Sequence, residues 1–397
     1  MPLSPANAAP QNGRATTAAT LSPILALTFI GFMVTGLALP VLPLYVRNGL
    51  GMGTVMVGLV SGAQFATALL SRVWAGNVAD TTGAKRAVML GMAAAVASGL
   101  LYLLSLRIGG TPALSASILL LGRALLGGAE SFIITGALGW GMALAGPGNT
   151  GKAIAWIGMA MYVAFAVGAP LGTLLYERHG FAAIGIATAV LPCLGLLLVL
   201  PLRGLVPSHQ VRPSFTRVLG AVRLPGAGLA LASLGFGAIT TFIALLFAER
   251  DWTFGWLAFS GFSAAFVAAR LFWGHLPDAI GGARVALVCL LVETAGQALI
   301  WLAPSSPVAI AGAVLTGFGY SLVYPAFGIE AVRALPPGSS ALAMGAFTAF
   351  LDLALGVSGP LLGWLASETG VATVFLASTV LVLCATAIAL RLQHPRQ

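Results

Sequence analysis

Apolar residues run along this chain in long blocks, broken by short polar clusters rich in Gly, Pro, Asp, Arg and Thr. Strict apolar/polar alternation is absent, which disfavours a lipid-facing β-barrel. Each block has the roughly 20 residues that a helix needs to cross a bilayer. The pattern predicts helices at 21–46, 54–74, 87–106, 114–142, 153–176, 181–202, 225–248, 254–273, 285–303, 307–329, 342–366 and 371–391. Connections are short except for the polar, Arg-bearing stretch 203–224. That stretch divides the chain into a disordered tail (1–20), a six-helix bundle (21–202), a basic linker (203–224), a second six-helix bundle (225–392) and a short tail (393–397).

One pattern occurs twice, 198 residues apart, each time between two apolar blocks. The first copy holds Arg72, Gly76, Asp80, Gly83, Lys85 and Arg86; the second holds Arg270, Gly274, Asp278, Gly281 and Arg284. A repeat of nearly half the chain fixes the architecture. Paired halves in an apolar chain point to a secondary transporter built from structural repeats.

Composition narrows the reading. Hydrophobic residues form 59% and charged residues 7% of the chain, with mean hydropathy +1.00. A soluble domain carries about 25% charged residues, so lipid must solvate most of this surface. The net charge of +9 reads as topology rather than nucleic-acid binding. With a cytoplasmic N-terminus, inward segments hold Arg14, Arg72, Lys85, Arg86, Lys152, Arg203, Arg212, Arg217, Arg223, Arg270, Arg284, Arg333, Arg391 and Arg396, and outward loops only Arg47, Arg107, Arg178 and Arg250. This positive-inside bias places both termini in the cytoplasm. Cys193, Cys289 and Cys384 all fall within spans and give neither a disulfide framework nor a metal spacing. The four histidines lie in or near loops or the tail, and no phosphate-loop pattern occurs, so neither an intramembrane enzyme nor an ATP-driven pump fits. Residues 1–20 lack the pattern of a signal peptide.

The loop pattern resembles the G-x-x-x-D-x-x-G-x-R/K-R/K signature of the major facilitator superfamily. Gly76, Asp80, Gly83, Lys85 and Arg86 fill every position, and Gly274, Asp278, Gly281 and Arg284 repeat it, with Ala283 departing at the first basic site. The resemblance, closest to the twelve-helix bacterial drug and sugar efflux branch, covers the whole apolar length. It implies an all-α integral membrane protein of two pseudo-symmetric six-helix bundles about a central cavity. It also implies a multi-pass protein of a bacterial inner membrane, monomeric and driven by a proton gradient without a cofactor. Its partners would be a small-molecule substrate and lipid, not nucleic acid.

Several residues carry specific expectations. Gly76 and Gly274 allow close helix approach, and Gly83 and Gly281 tight turns. Asp80 and Asp278 are expected to dock on the N-termini of spans eleven and five, near Ser339–Ser340 and Asn149–Thr150, as a latch favouring the outward-open state. A loop held only by local Arg pairs is the alternative. The resemblance associates Arg123, inside span four, with proton coupling; an Arg in hydrocarbon needs a partner or a wet cavity. Asp352 is the first choice for proton carrier, followed by Glu130 and then Glu293, because a carboxyl group exchanging apolar for cationic surroundings loads and releases a proton. For each, an ordinary interhelix hydrogen bond is the competing reading. The resemblance places the substrate cavity on spans one, four, seven and ten. Candidates there are Thr35, Thr240, Thr241, Tyr320, Ser321 and Tyr324, with Gln64, Trp156 and Tyr162 nearby. Span five carries Gly168-Ala-Pro170-Leu-Gly172 and span eleven Gly359-Pro360-Leu-Leu-Gly363; Gly-Pro on the fifth helix accompanies antiport in the family's exporters. The combined expectation is proton-coupled export of small organic molecules. Proton-coupled uptake of a sugar or organic acid stands as the alternative, and a non-transporting scaffold or sensor is disfavoured by both loop signatures and the membrane acids.

Overall fold

The computed structural model describes residues 12–108, 110–146, 149–204, 219–333 and 340–393. Twelve long helices make up the fold: α1 Asn12–Ala38, α2 Thr54–Thr82, α3 Ala84–Arg107, α4 Pro112–Ala145, α5 Thr150–His179, α6 Phe181–Val199, α7 Arg223–Glu249, α8 Gly255–Trp273, α9 Gly282–Trp301, α10 Ser306–Arg333, α11 Ser340–Thr369 and α12 Ala372–Gln393. Short helical turns follow α1 at Leu42–Leu44 and Tyr45–Gly49, and another precedes α9 at Leu276–Ile280. No strand occurs among the described residues. Among the described residues twelve segments are long and apolar enough to cross a membrane, in agreement with the periodicity.

Three helix ends lie well away from the expectation: α1 ends at Ala38 rather than 46, α2 runs to Thr82 rather than 74, and α1 starts early. The helix α1 begins at Asn12, so residues 12–20 of the expected disordered tail are helical; their Ala-rich sequence favours helix once a span has nucleated it. The pattern Gly274–Gly281 does not copy its partner. There α2 runs unbroken to Thr82, whereas α8 stops at Trp273 and a separate turn starts at Leu276. Pro277, which lacks an N–H, sits at the start of that turn. Residues 205–218 of the linker, with Arg212, Arg217 and His209, lie outside the described residues, as do residues 1–11, Ser339 and the tail from His394.

The chain turns sharply where glycine takes positive φ. Gly83 (φ 103°) and Gly281 (φ 95°) separate α2 from α3 and the short turn from α9. Gly180 (φ 69°) and Gly370 (φ 89°) separate α5 from α6 and α11 from α12. A side chain at any of these would strain the turn. The first pair is 198 apart in sequence and the second 190. The second half is shorter between them: α9 has 20 residues against 24 in α3, and α10 has 28 against 34 in α4.

Packing follows the repeat. Within the first half α4 packs on α2 and α3, α1 on α5 and α6, and α3 on α6. Within the second half α10 packs on α8 and α9, α7 on α11 and α12, and α9 on α12. The halves meet along two seams, α2 with α11 and α5 with α8. The helices α1 and α7 are the most enclosed, with 78% and 83% of their apolar windows buried against 33% for α6 and α12. Leu70, Val73, Leu197, Leu271, Phe272 and Leu361 are exposed, as expected where the solvent is lipid.

A candidate substrate and coupling site between the halves

The α2–α11 seam is built from small residues. Adding a Cβ at Gly58 would collide with the Gly359 carbonyl, at Gly62 it would come within 2.8 Å of the Gly356 carbonyl, and at Gly356 within 3.0 Å of the Ala66 nitrogen. Thr54 donates from its hydroxyl to the Gly363 carbonyl at 2.8 Å. Such small faces let backbones touch where no hydrophobic drive joins helices. The contact starts at the end opposite the repeated loops and runs about 27 Å along α2 to Arg72. There an Arg72 nitrogen meets an Asp352 carboxylate oxygen at 2.5 Å, bridging the halves. Asp352 is buried. At the far end Arg47 and Glu249 make a second bridge of 3.4 Å, half-exposed and therefore worth little.

The α5–α8 seam is aromatic. Tyr162 stacks on Phe266 with ring centroids 3.5 Å apart, and Ser260 donates to the Ala166 carbonyl at 3.1 Å. Phe236 of α7 touches Phe65 across the halves and stacks on Tyr320. The expected cavity residue Tyr162 is thus in the centre, held as part of a plug between halves.

The three expected acids sit in different surroundings. Glu130 on α4 is buried and accepts from the Thr35 hydroxyl of α1 and from Gln64 Nε2 of α2 at 2.6 Å. These three candidates therefore form one cluster inside the first half. Asp352 alone spans the seam. Glu293 is fully buried, and neither of its oxygens has a hydrogen-bond partner among the described residues. Its side chain points inward: a Cβ on Gly235 of α7 would lie 2.5 Å from Glu293 Oε1. Arg123 is fully buried too; Nη1 reaches the Tyr102 hydroxyl at a long 3.4 Å, and Nε and Nη2 have no partner among the described residues.

Other candidates turn out to be locally engaged. Ser321 donates to the Phe266 carbonyl at 2.7 Å and Thr240 to the Gly237 carbonyl at 3.1 Å; Thr241 is buried beside it. The Tyr320 hydroxyl pairs with Ser233 at 3.1 Å and that of Tyr324 with Thr348 at 2.7 Å. Trp156 lies elsewhere, in a shallow apolar groove of about 630 Å³ between α1 and α5 with Leu25, Phe29 and Met159. Among the signature residues, Lys85 donates to the carbonyls of Leu200 and Leu202 at 2.8 and 2.7 Å, tying α3 to the end of α6 within one half. Asp80 is half-buried near the end of α2, while Asp278, Arg86 and Arg284 are exposed. The glycines of span five, Gly168 and Gly172, pack on Gly36 and Leu37 of α1 rather than across a seam.

Arg72 and Arg270 were not among the expected site residues, although each opens its copy of the repeat. Arg270 is half-buried in α8, donates from Nη1 to the Ser321 carbonyl at 3.2 Å and stands 5.8 Å from the Phe266 ring. The signal was the repeat itself: two arginines retained at equal offset, before each glycine, inside apolar blocks. Among the described residues no cluster of His, Cys, Asp or Glu has metal-binding geometry.

The family model described as Major Facilitator Superfamily matches residues 24–258 and 226–397. An uncharacterized MFS-type transporter of Pseudomonas aeruginosa is 44% identical over 371 residues, covering 94% of this chain and 92% of that protein. One of Salmonella typhimurium is 43% identical over 372 residues, covering 94% and 96%. Among solved structures, the nucleoside transporter NupG superposes with TM-score 0.73 at 17% identity, covering 95% of this chain and all of that one. A bacterial homolog of the human lysosomal transporter Spinster superposes with TM-score 0.74 at 15% identity, covering 97% and 98%.

Proposed function

Because the chain belongs to the major facilitator superfamily, we propose that it is a proton-coupled secondary transporter of a bacterial inner membrane that exports small organic molecules, with Asp352 as proton carrier. The Arg72–Asp352 pair carries this reading, since among the described residues it is the buried ion pair that joins the two halves. With the basic loops in the cytoplasm, the glycine seam closes the outer side of the molecule. A carboxylate on Asp352 holds Arg72 and keeps that seam shut. With the seam open, Asp352 takes up a proton from the outer side; when the seam closes, Arg72 returns to the carboxyl group and its proton leaves to the cytoplasm, so protons move inward as substrate moves outward. A buried charge pair broken on one side is strongly unfavourable, so protonation and conformation are coupled. The titratable groups within electrostatic reach of Asp352 are Arg72, Tyr324 and Glu130.

The test is flux through the full chain in proteoliposomes carrying a pH gradient. In Asp352→Asn, gradient-driven transport should vanish while substrate exchange at equal pH persists. Wild-type coupling in that variant would reject the carrier assignment. The sign of the coupling decides direction: export predicts uptake into inside-out vesicles with an acidified lumen, and uptake under the opposite gradient would establish symport.

A further inference from the structure

Arg72 and Arg270 occupy matching places in the two halves, but only one of them has an acid. Arg72 on α2 faces α11, where Asp352 stands eight residues before the helix proline, Pro360. Arg270 on α8 faces α5, where the residue eight before the corresponding Pro170 is Tyr162. The 190-residue offset that relates these prolines also relates Gly180 to Gly370, so Tyr162 is the counterpart of Asp352. A neutral phenol thus stands where the other seam has a carboxylate. Arg270 has no ion-pair partner among the described residues; its bonded partner there is the Ser321 carbonyl. Phe266 lies under the guanidinium, with Tyr320 beside that ring at 6.1 Å. Glu130, the acid of the first half, is already engaged by Thr35 and Gln64.

A half-buried cation without an anion, walled by aromatic rings, is complementary to a carboxylate on an apolar or aromatic body, because guanidinium and carboxylate pair bidentately. We propose that Arg270 anchors the carboxylate of an organic-anion substrate whose body lies against Phe266, Tyr320 and Tyr324. The inference rests on the transport reading above and narrows its substrate class.

The test uses the purified full chain in detergent, with 2-naphthoate, 2-naphthamide and 2-naphthylmethylamine as probes for ligand-dependent thermal stabilisation. Naphthoate should raise the melting temperature and the amide and amine should not. Loss of the charge-assisted bond in Arg270→Gln should weaken naphthoate binding by about tenfold or more. Arg270→Lys, which keeps the charge without the fork, should fall between. Tyr162→Asp, which supplies an internal anion, should abolish binding; it and the Lys variant decide the matter if the Gln variant does not fold. Equal binding of the amide, preferential binding of the amine, no response to naphthoate, or wild-type affinity in the Arg270 variants overturns the proposal. No naphthoate binding in a protein that still shows Asp352-dependent coupled flux removes the anion assignment alone. Naphthoate binding in a protein whose flux ignores the gradient removes the coupling reading alone.

Discussion

Three acids lie inside apolar helices, and what distinguishes them is which donors reach them. Glu130 is bound by two neutral donors from its own half, Thr35 and Gln64; Glu293 meets no donor among the described residues; Asp352 meets an arginine from the other half. Only the last arrangement makes protonation a switch between halves. Glu130 is then a structural clasp of α1, α2 and α4. Glu130→Ala should leave the Thr35 and Gln64 donors unpaired and cost about 1–2 kcal/mol, read as a lower melting temperature in detergent. Glu130→Gln, which keeps an acceptor, should lose less; equal losses would reject the clasp. Position and type of the three acids were legible from the sequence. Their partners were not, since Gln64 and Arg72 reach them from helices whose rotation no periodicity records. The same holds for Ser321 and Tyr324, whose bonds to the Phe266 carbonyl and the Thr348 hydroxyl no periodicity records.

At the scale of elements, the two Gly-Pro helices have diverged in use. In α5 the glycines pack inward on α1, and in α11 they form the seam with α2. Both motifs were visible in the sequence, but which neighbour each touches depends on the bundle. Gly58 makes the closest approach across this seam, backbone on backbone, where no flexible side chain can give way. Gly58→Leu should therefore prevent closure of the far end. Accessibility of a cysteine introduced at Val55 to a membrane-impermeant maleimide should rise in that background; unchanged labelling would mean that the seam yields without opening. Helix boundaries were legible to within a few residues except at the two ends of α1, Asn12 and Ala38, and at the end of α2, Thr82.

The whole molecule is two copies of one bundle whose third and fourth helices are shorter in the second copy, which is why the loop signatures match at 198 and the prolines at 190. Reading the repeat at one fixed offset sets Asp352 against Ile154 and hides its counterpart, Tyr162. With both offsets the asymmetry of the seams is plain: one is closed by a charge pair and the other by stacked rings. In the proposed mechanism this uneven pair of seams gives the rocking motion a titratable side. The central claim is tested most directly by the distance between spin labels at exposed Gly53 and Ser367, on the far ends of the α2–α11 seam, with Cys193, Cys289 and Cys384 replaced by Ser. Lowering the pH should lengthen that distance in the parent protein, and in Asp352→Asn it should already be long and insensitive to pH. A parent distance that ignores pH, or an Asp352→Asn protein that responds as the parent does, would contradict the coupling of this carboxyl group to the seam.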